Sequence, residues 1–219
     1  LKIVELKQNV FKENEITADG IREELKAKGI LMINVMSSPG SGKTTTLVRI
    51  IEKLQPRFKI GVMECDIDSA VDAETIIKAG AKAVQLHTGG MCHMDAAMTK
   101  QGLDELEVDG LDIIFIENVG NLVCPAEFDT GAHKNLTILS VPEGDDKPAK
   151  YPLVYEVSEV TIINKIDVAE VFDFDFNLAK KRILSCNPNE KIFEVSAKND
   201  CGFEPLENYI LDLVQGLKS

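Results

Sequence analysis

Short continuous apolar runs alternate with longer segments whose apolar residues recur at helical spacing, and this alternation constrains the fold more than any other feature of the chain. Runs at 30–36, 112–116, 136–141 and 160–163 are continuous and apolar, as expected of strands buried on both sides of a parallel sheet, and 59–64, 82–87 and 192–195 read as further strands. Between them, Leu47, Ile50, Ile51 and Leu54 repeat at i, i+3, i+4 and i+7, and Leu206, Tyr209, Ile210, Leu213, Val214 and Leu217 form a closing helical stripe. Residues 71–79, closed by Gly80, and 94–107 read as further helices. Residues 14–28 form a leading helix weakened at Gly20. Strand, crossover helix, strand, repeated, predicts an α/β fold of three layers, a mostly parallel sheet flanked by helices. The stretch 142–152, with three prolines, reads as a loop and not a linker, so residues 1–219 are expected to form one domain with a helical extension over about 1–29.

The first core run ends in Ser37-Ser38-Pro39-Gly40-Ser41-Gly42-Lys43-Thr44, and a helix follows at once. This is the end of a Walker A loop, with serine at the position of its first glycine. Backbone N–H groups of Ser38, Pro39, Gly40, Ser41 and Gly42 are the expected region of the phosphate nest, although Pro39 has no N–H to give; Lys43 would reach the β- and γ-phosphates and Thr44 would ligate Mg²⁺, with Thr45 alongside. The start of the helix adds partial positive charge at the same place. That local device matters because the net charge is −12. So acidic a chain is not expected to bind nucleic acid or an anionic membrane surface. No apolar run approaches the roughly 18 residues of a membrane span.

Asn164-Lys165-Ile166-Asp167 follows the run VTII, which puts it at a strand's carboxyl end. NKxD reads guanine: the Asp167 carboxylate can accept from N1–H and the exocyclic amine, while Lys165 stacks its stem on the base. Adenine lacks that donor pair and would strand the carboxylate. Ser196-Ala197-Lys198, after the run IFEV, has the form of the loop that backs the guanine in GTPases. Asp66 and Glu117 close two other runs, and Asp72 follows the first. In a parallel sheet these ends open on the phosphate edge, where carboxylates hold Mg²⁺ or orient the attacking water. Lys43, Asp72 and Glu117 are therefore the expected catalytic set, whereas Asp68 reads as a helix cap.

Cys92 and His93 stand side by side, and Cys124 lies further on, before a proline. Thiolate and imidazole suit Zn²⁺ or Ni²⁺ and not Mg²⁺. Three ligands are one short of a closed tetrahedral site, and a two-fold axis could complete it. Spacing alone leaves open the plainer alternative, a buried thiol beside an unrelated histidine. Cys65, Cys186 and Cys201 have no ligand-type neighbour and read as structural, and His87 and His133 as non-ligands. Five scattered cysteines without CxxC fit a reducing cytosol. The pair Lys147 and Lys150 could reach a partner's nucleotide across a dimer, or simply be solvated.

Taken in order, SSPGSGKT, CHMDA, IENVGNLVCPAEFD, EGDDKPAKYP, NKID and SAK resemble the hydrogenase nickel-incorporation GTPases, the HypB family. The resemblance runs from about Leu31 to Lys198, and serine at the head of the P-loop is found in the family. It implies a P-loop NTPase of the SIMIBI-type G-domain class, using GTP and Mg²⁺ and forming a nucleotide- and metal-dependent homodimer. It also implies a low-affinity Ni²⁺ or Zn²⁺ site made by Cys92, His93 and Cys124 at the dimer interface. The ENVG segment, Glu117 to Gly120, takes the place of the GTPase DxxG. The implied role is delivery of nickel to the large subunit of [NiFe]-hydrogenase, with the accessory protein HypA as partner, and in some members to urease maturation proteins. Residues 1–30 hold no His and no Cys, so the His-rich or CxxCxxC nickel segments of some members are not expected within them. The start at Leu1 leaves room for upstream residues.

Overall fold

The computed structural model describes residues 6–65 and 70–218. Its seven strands are all parallel: β1 (Leu31–Ser37), β2 (Ile60–Glu64), β3 (Lys82–Gln85), β4 (Ile113–Glu117), β5 (Lys134–Ser140), β6 (Val160–Asn164) and β7 (Lys191–Glu194), in the order β3-β2-β4-β1-β5-β6-β7. Each expected strand is present, with ends shifted by one or two residues. The helices are α1 (Leu6–Ala27), α2 (Lys43–Leu54), α3 (Ala70–Lys78), α4 (Ala96–Leu106), α5 (Cys124–Glu127), α6 (Lys147–Lys150), α7 (Pro152–Glu156), α8 (Phe176–Cys186) and α9 (Glu204–Lys218).

Alternate residues of the central strands supply the two faces even though every residue of β1 is buried. Leu31, Ile33 and Val35 pack with Leu47, Ile50, Ile51 and Leu54 of α2, Ile76 of α3, and Leu206, Ile210 and Val214 of α9. On the other face Met32 packs with Ala18, Ile21 and Leu25 of α1 and with Leu106 of α4, while Met36 meets Val154 and Tyr155 of α7 and Ala179 and Ile183 of α8. Helices thus cover both faces of the sheet, which is the three-layer architecture.

Four details differ from the sequence reading. α1 runs unbroken through Gly20, because Ala18, Ile21 and Leu25 on either side of it are buried against the core. The 142–152 loop is instead a 3-10 turn (Val141–Glu143) followed by α6 and α7; each element has a proline in its first turn, where the missing N–H costs nothing. The helix expected from residue 94 begins two residues later: α4 starts at Ala96, capped by Asp95, whose side chain accepts from the Met98 N–H, so Cys92 and His93 lie in the loop before it. α8 has a stripe too short to stand out, Ala179 and Ile183, and is capped by Asp175.

Candidate functional site

β1 is central, with β4 on one side and β5 on the other, so its carboxyl end opens at the point where the chain departs in two directions. The loop from Ser38 to Gly42 crosses this end and delivers the chain into α2. No side chain caps α2; Gly42 stands there in a left-handed conformation (φ 96°), so the helix's first N–H groups face the loop's interior. A Cβ at Gly42 would fall 2.7 Å from Asn164 Nδ2. Ser37, the residue in place of the usual first glycine, is fully buried; it accepts a 2.6 Å hydrogen bond from the Ser41 hydroxyl and donates to the Ser38 carbonyl at 2.8 Å. A serine at this position therefore ties the loop across its base. Lys43 is buried, Ser38 nearly so, and Pro39, Gly40 and Thr45 are exposed.

The NKID and SAK segments meet at the loop: NKID bonds to it and SAK bonds to NKID. Asn164 donates to the Ser41 carbonyl at 3.0 Å, and its Oδ1 accepts from the Lys165 and Ala197 N–H groups at 2.8 and 3.2 Å. Lys165, itself left-handed (φ 64°), donates to the Gly40 carbonyl at 2.7 Å. Asp167 accepts from the Ser196 hydroxyl at 2.5 Å, and Ser196 in turn accepts from the Asn199 N–H. Ser196 and Ala197 are buried, while Asp167 and Lys198 are exposed. P-loop, NKxD and SAK residues, far apart in sequence, are thus joined in one hydrogen-bonded edge.

Glu117 ends β4, paired in register with Val35 of β1 and Glu64 of β2. The Thr44 hydroxyl donates to Glu117 Oε1 at 2.7 Å. Glu117 Oε2 is buried and has no hydrogen-bond partner. Burial pushes this carboxyl up to about 7; the Thr44 hydroxyl and the Lys43 ammonium oppose the rise, and the neighbouring Glu64 and Asp72 carboxylates add to it. A hydroxyl beside a buried carboxylate oxygen in need of a partner is an all-oxygen donor set that fits a hard divalent cation such as Mg²⁺. Asp72 lies in the first turn of α3. Asp66 and Asp68 lie outside the described residues. Glu64, a buried carboxylate at a strand end, was not among the expected site residues; its signal was a charge within the apolar run VMEC.

Beyond Glu117 the chain turns through Asn118 to Gly120 and returns to the P-loop. A Cβ on Gly120 would sit 3.2 Å from Pro39 Cα, and Asn121 forms an antiparallel bridge with Ser37. Three residues further on, Cys124 opens α5. The ligand atoms of Cys92, His93 and Cys124 lie within 4.8 Å of one another. Among the described residues this is the one group of three or more His, Cys, Asp or Glu side chains so placed. Cys92 is exposed, with its Sγ 3.9 Å from His93 Nδ1. The His93 ring stacks on Phe128 (centroids 3.9 Å apart, 14° between planes), and its Nε2 is buried without a partner. Burial lowers the His93 pKa, which favours the neutral imidazole that ligates metals. The Cys92 thiol is raised above its ordinary value, first through its hydrogen bond with Cys124. Soft donors gathered in this way fit Ni²⁺ or Zn²⁺. Phe128, which fixes the imidazole plane, carried no sequence signal.

His133 accepts from the Met32 N–H at 3.0 Å through Nδ1, with Nε2 3.2 Å from the Arg22 carbonyl, so both nitrogens are engaged in structure. Cys65 is buried in the core. Lys147 pairs with Glu143 at 3.8 Å and lies over the Tyr151 ring, and Lys150 pairs with Asp146 at 2.6 Å.

Comparison with known proteins agrees with this geometry. Residues 31–194 match the nucleotide-binding domain of the CobW/HypB/UreG family. The hydrogenase/urease maturation factor HypB of Helicobacter pylori is 38% identical over 215 residues, covering 96% of this chain and 88% of that protein. The crystal structure of HypB from Helicobacter pylori in complex with nickel superposes with a TM-score of 0.87 at 38% identity, over 93% of this chain and 96% of the other. The signal recognition particle 54 kDa protein of Aeropyrum pernix in complex with GDP shares the fold alone, with a TM-score of 0.57 at 14% identity over 86% of this chain and 50% of that one. A P-loop GTPase fold with its P-loop, NKID and SAK segments in contact, and relatives of this similarity over almost the whole chain, place the protein in the HypB family of hydrogenase maturation factors.

Proposed function

We propose that this GTPase works as a switch in which nucleotide state controls a nickel site during [NiFe]-hydrogenase maturation. The observation that carries this reading is the continuity of one short segment. Glu117, bonded to Thr44, and Cys124, within 4.8 Å of the Cys92–His93 ligand atoms, are seven residues apart. Residues 38–45 hold the phosphates, with Lys43 against the β- and γ-phosphates. Asn164, Lys165 and Asp167 read guanine, and Ser196, Ala197 and Lys198 back it. Thr44 and Glu117, with Asp66 and Asp72, hold Mg²⁺, which when bound supplies positive charge beside the phosphate oxygens. Asp72 or Glu117 orients the attacking water, and Lys43 stabilises charge on the transferred phosphoryl group. Residues 1–219 act as one GTPase domain, with the segment to about residue 29 as its helical extension.

Cys92, His93 and Cys124 take nickel as cargo; the same donors accept zinc. Nickel in the Helicobacter pylori relative supports this choice. Three ligands leave a position for a second protomer, and the chain's charge of −12 opposes pairing until nucleotide or metal offsets it. The partners on this reading are a second copy of the chain, HypA and the hydrogenase large subunit, and the setting is the cytoplasm. Among the described residues no helix is long and apolar enough to cross a membrane. A urease-type delivery role is the second reading, favoured by the hydrogenase/urease name of the Helicobacter pylori relative.

The test is a Ni²⁺ titration of the GDP-bound protein and of the protein bound to a non-hydrolysable GTP analogue, each followed by size measurement. The expected result is a different affinity, a different oligomeric state, or both. Equal affinities and equal sizes overturn the switch.

A further inference from the structure

We propose that Asn121 is a positioning residue that carries nucleotide state to the metal ligands, an inference that rests on the switch reading above. Asn121 touches three parts of the site at once. Its backbone bridges Ser37, the last residue of β1 and the first position of the P-loop. Its Nδ2 donates to the Cys92 carbonyl at 3.3 Å. Its Oδ1 accepts from the Val123 N–H at 2.9 Å, which fixes the approach to Cys124. One side chain therefore spans the two segments that bear the thiol ligands, and the backbone behind it is held by the phosphate loop.

The neighbouring asparagine has a different character. Asn118 is fully buried; its Oδ1 accepts from the Met94 and Val119 N–H groups at 3.2 and 2.9 Å, and its Nδ2 donates to Asn34 Oδ1 at 3.0 Å. Asn34 passes this chain on to Asn135 at 2.9 Å. Such a satisfied network holds one arrangement and resists change. It anchors the carboxyl side of the Cys92–His93 segment, at Met94. The amino side is held by Asn121, which is only partly buried and rests on the loop that meets the phosphates. A displacement of the P-loop edge then moves Cys92 about a fixed Met94, and alters the spacing of Cys92 Sγ from Cys124 Sγ and the His93 ring. Coupling between sites needs a physical element that both ligands bias, and Asn121 is one that touches both.

The experiment measures Ni²⁺ affinity of the full chain in the GDP state and in the non-hydrolysable GTP-analogue state, and takes the ratio of the two dissociation constants. Asn121→Ala is compared with Asn121→Asp, which keeps the acceptor for the Val123 N–H and loses only the donor to the Cys92 carbonyl; thermal melts report folding of both. A purely structural role, or the added charge of Asp, changes affinity equally in both states and leaves the ratio alone. The expected result is that each variant moves the ratio toward one by about fivefold, the worth of a neutral hydrogen bond. A wild-type ratio away from one that Asn121→Asp leaves within a factor of two overturns the role of Asn121 alone. A wild-type ratio of one overturns the switch reading and this inference with it.

Discussion

The two ends of the nucleotide edge are finished to different degrees. At the end we propose reads guanine, Asn164 uses both its amide donor and its carbonyl acceptor, Lys165 reaches the Gly40 carbonyl, and Asp167 is held by Ser196. At the end we propose holds phosphate and metal, Glu117 Oε2 and His93 Nε2 are buried without partners. On that reading the first end recognises one base with little rearrangement. The second end has polar atoms whose burial costs about 1–3 kcal/mol each until something pairs them. A ligand arriving there supplies the missing interactions, so its binding is coupled to the local stability of the segments that present those atoms. On the proposed function, recognition belongs to the rigid end and response to the incomplete one.

Lys43→Ala tests the responsive end most severely. Removing the charge that meets the transferred phosphoryl group is expected to lower GTP hydrolysis by about 10²–10³-fold in a phosphate-release assay. A variant that retains wild-type turnover would assign the phosphate chemistry to other residues. Asp167→Asn tests the rigid end. Loss of the charge-assisted bonds should weaken GTP binding on the order of 10²-fold and favour xanthosine triphosphate, whose base presents the complementary acceptor. Equal loss for both nucleotides would mean that Asp167 supports the fold of the loop and does not read the base. Cys92→Ala should weaken Ni²⁺ binding by roughly 10²-fold, the upper end of the loss an outer-shell partner causes, and leave GTP binding unchanged because the thiol it removes stands with His93 and Cys124. Loss of both would erase the distinction between the two ends.

The guanine end was also the more legible in sequence. NKID and SAK are local strings, weak singly, that gain meaning from the strand before each of them and from their order after a P-loop. The metal end joins Cys92, His93 and Cys124 across more than thirty residues, and spacing alone could not separate a ligand set from an unrelated thiol and imidazole. What brings them together is tertiary: β4 ends beside β1 and β2, and the chain then returns to the P-loop through Asn121. Phe128 under His93 and the asparagine chain through Asn34 and Asn118 are properties of packing with no motif to announce them, and Glu64 beside Glu117 was marked only by a charge within an apolar run. The strands were legible because burial on both faces leaves a continuous apolar run. The helix α8 was missed because only Ala179 and Ile183 of it are buried.

An unpartnered carboxylate oxygen is not by itself the mark of a ligand site, and Glu190 supplies the control. Like Glu117 it is buried, has one oxygen without a partner and accepts a hydrogen bond from a threonine, here Thr161. It precedes β7, however, and so lies at the amino-terminal edge of the sheet, away from the P-loop. Burial pushes its carboxyl from the ordinary 4.5 up to about 8; the Thr161 hydroxyl opposes the rise and the Glu159 carboxylate adds to it. The folded chain therefore keeps a proton that the unfolded chain releases. The stabilisation from this group is complete below about 4.5 and is lost as pH rises through about 8, an effect on the order of 3 kcal/mol. Glu190→Gln keeps an acceptor for Thr161 and removes the titration. Between pH 5 and 9 its melting temperature should fall by about 5 °C less than that of the wild type, with GTP and Ni²⁺ affinities unchanged. Parallel pH profiles for the two proteins would show that Glu190 does not hold the proton, and a change in either affinity would extend the responsive end of the molecule across the whole sheet.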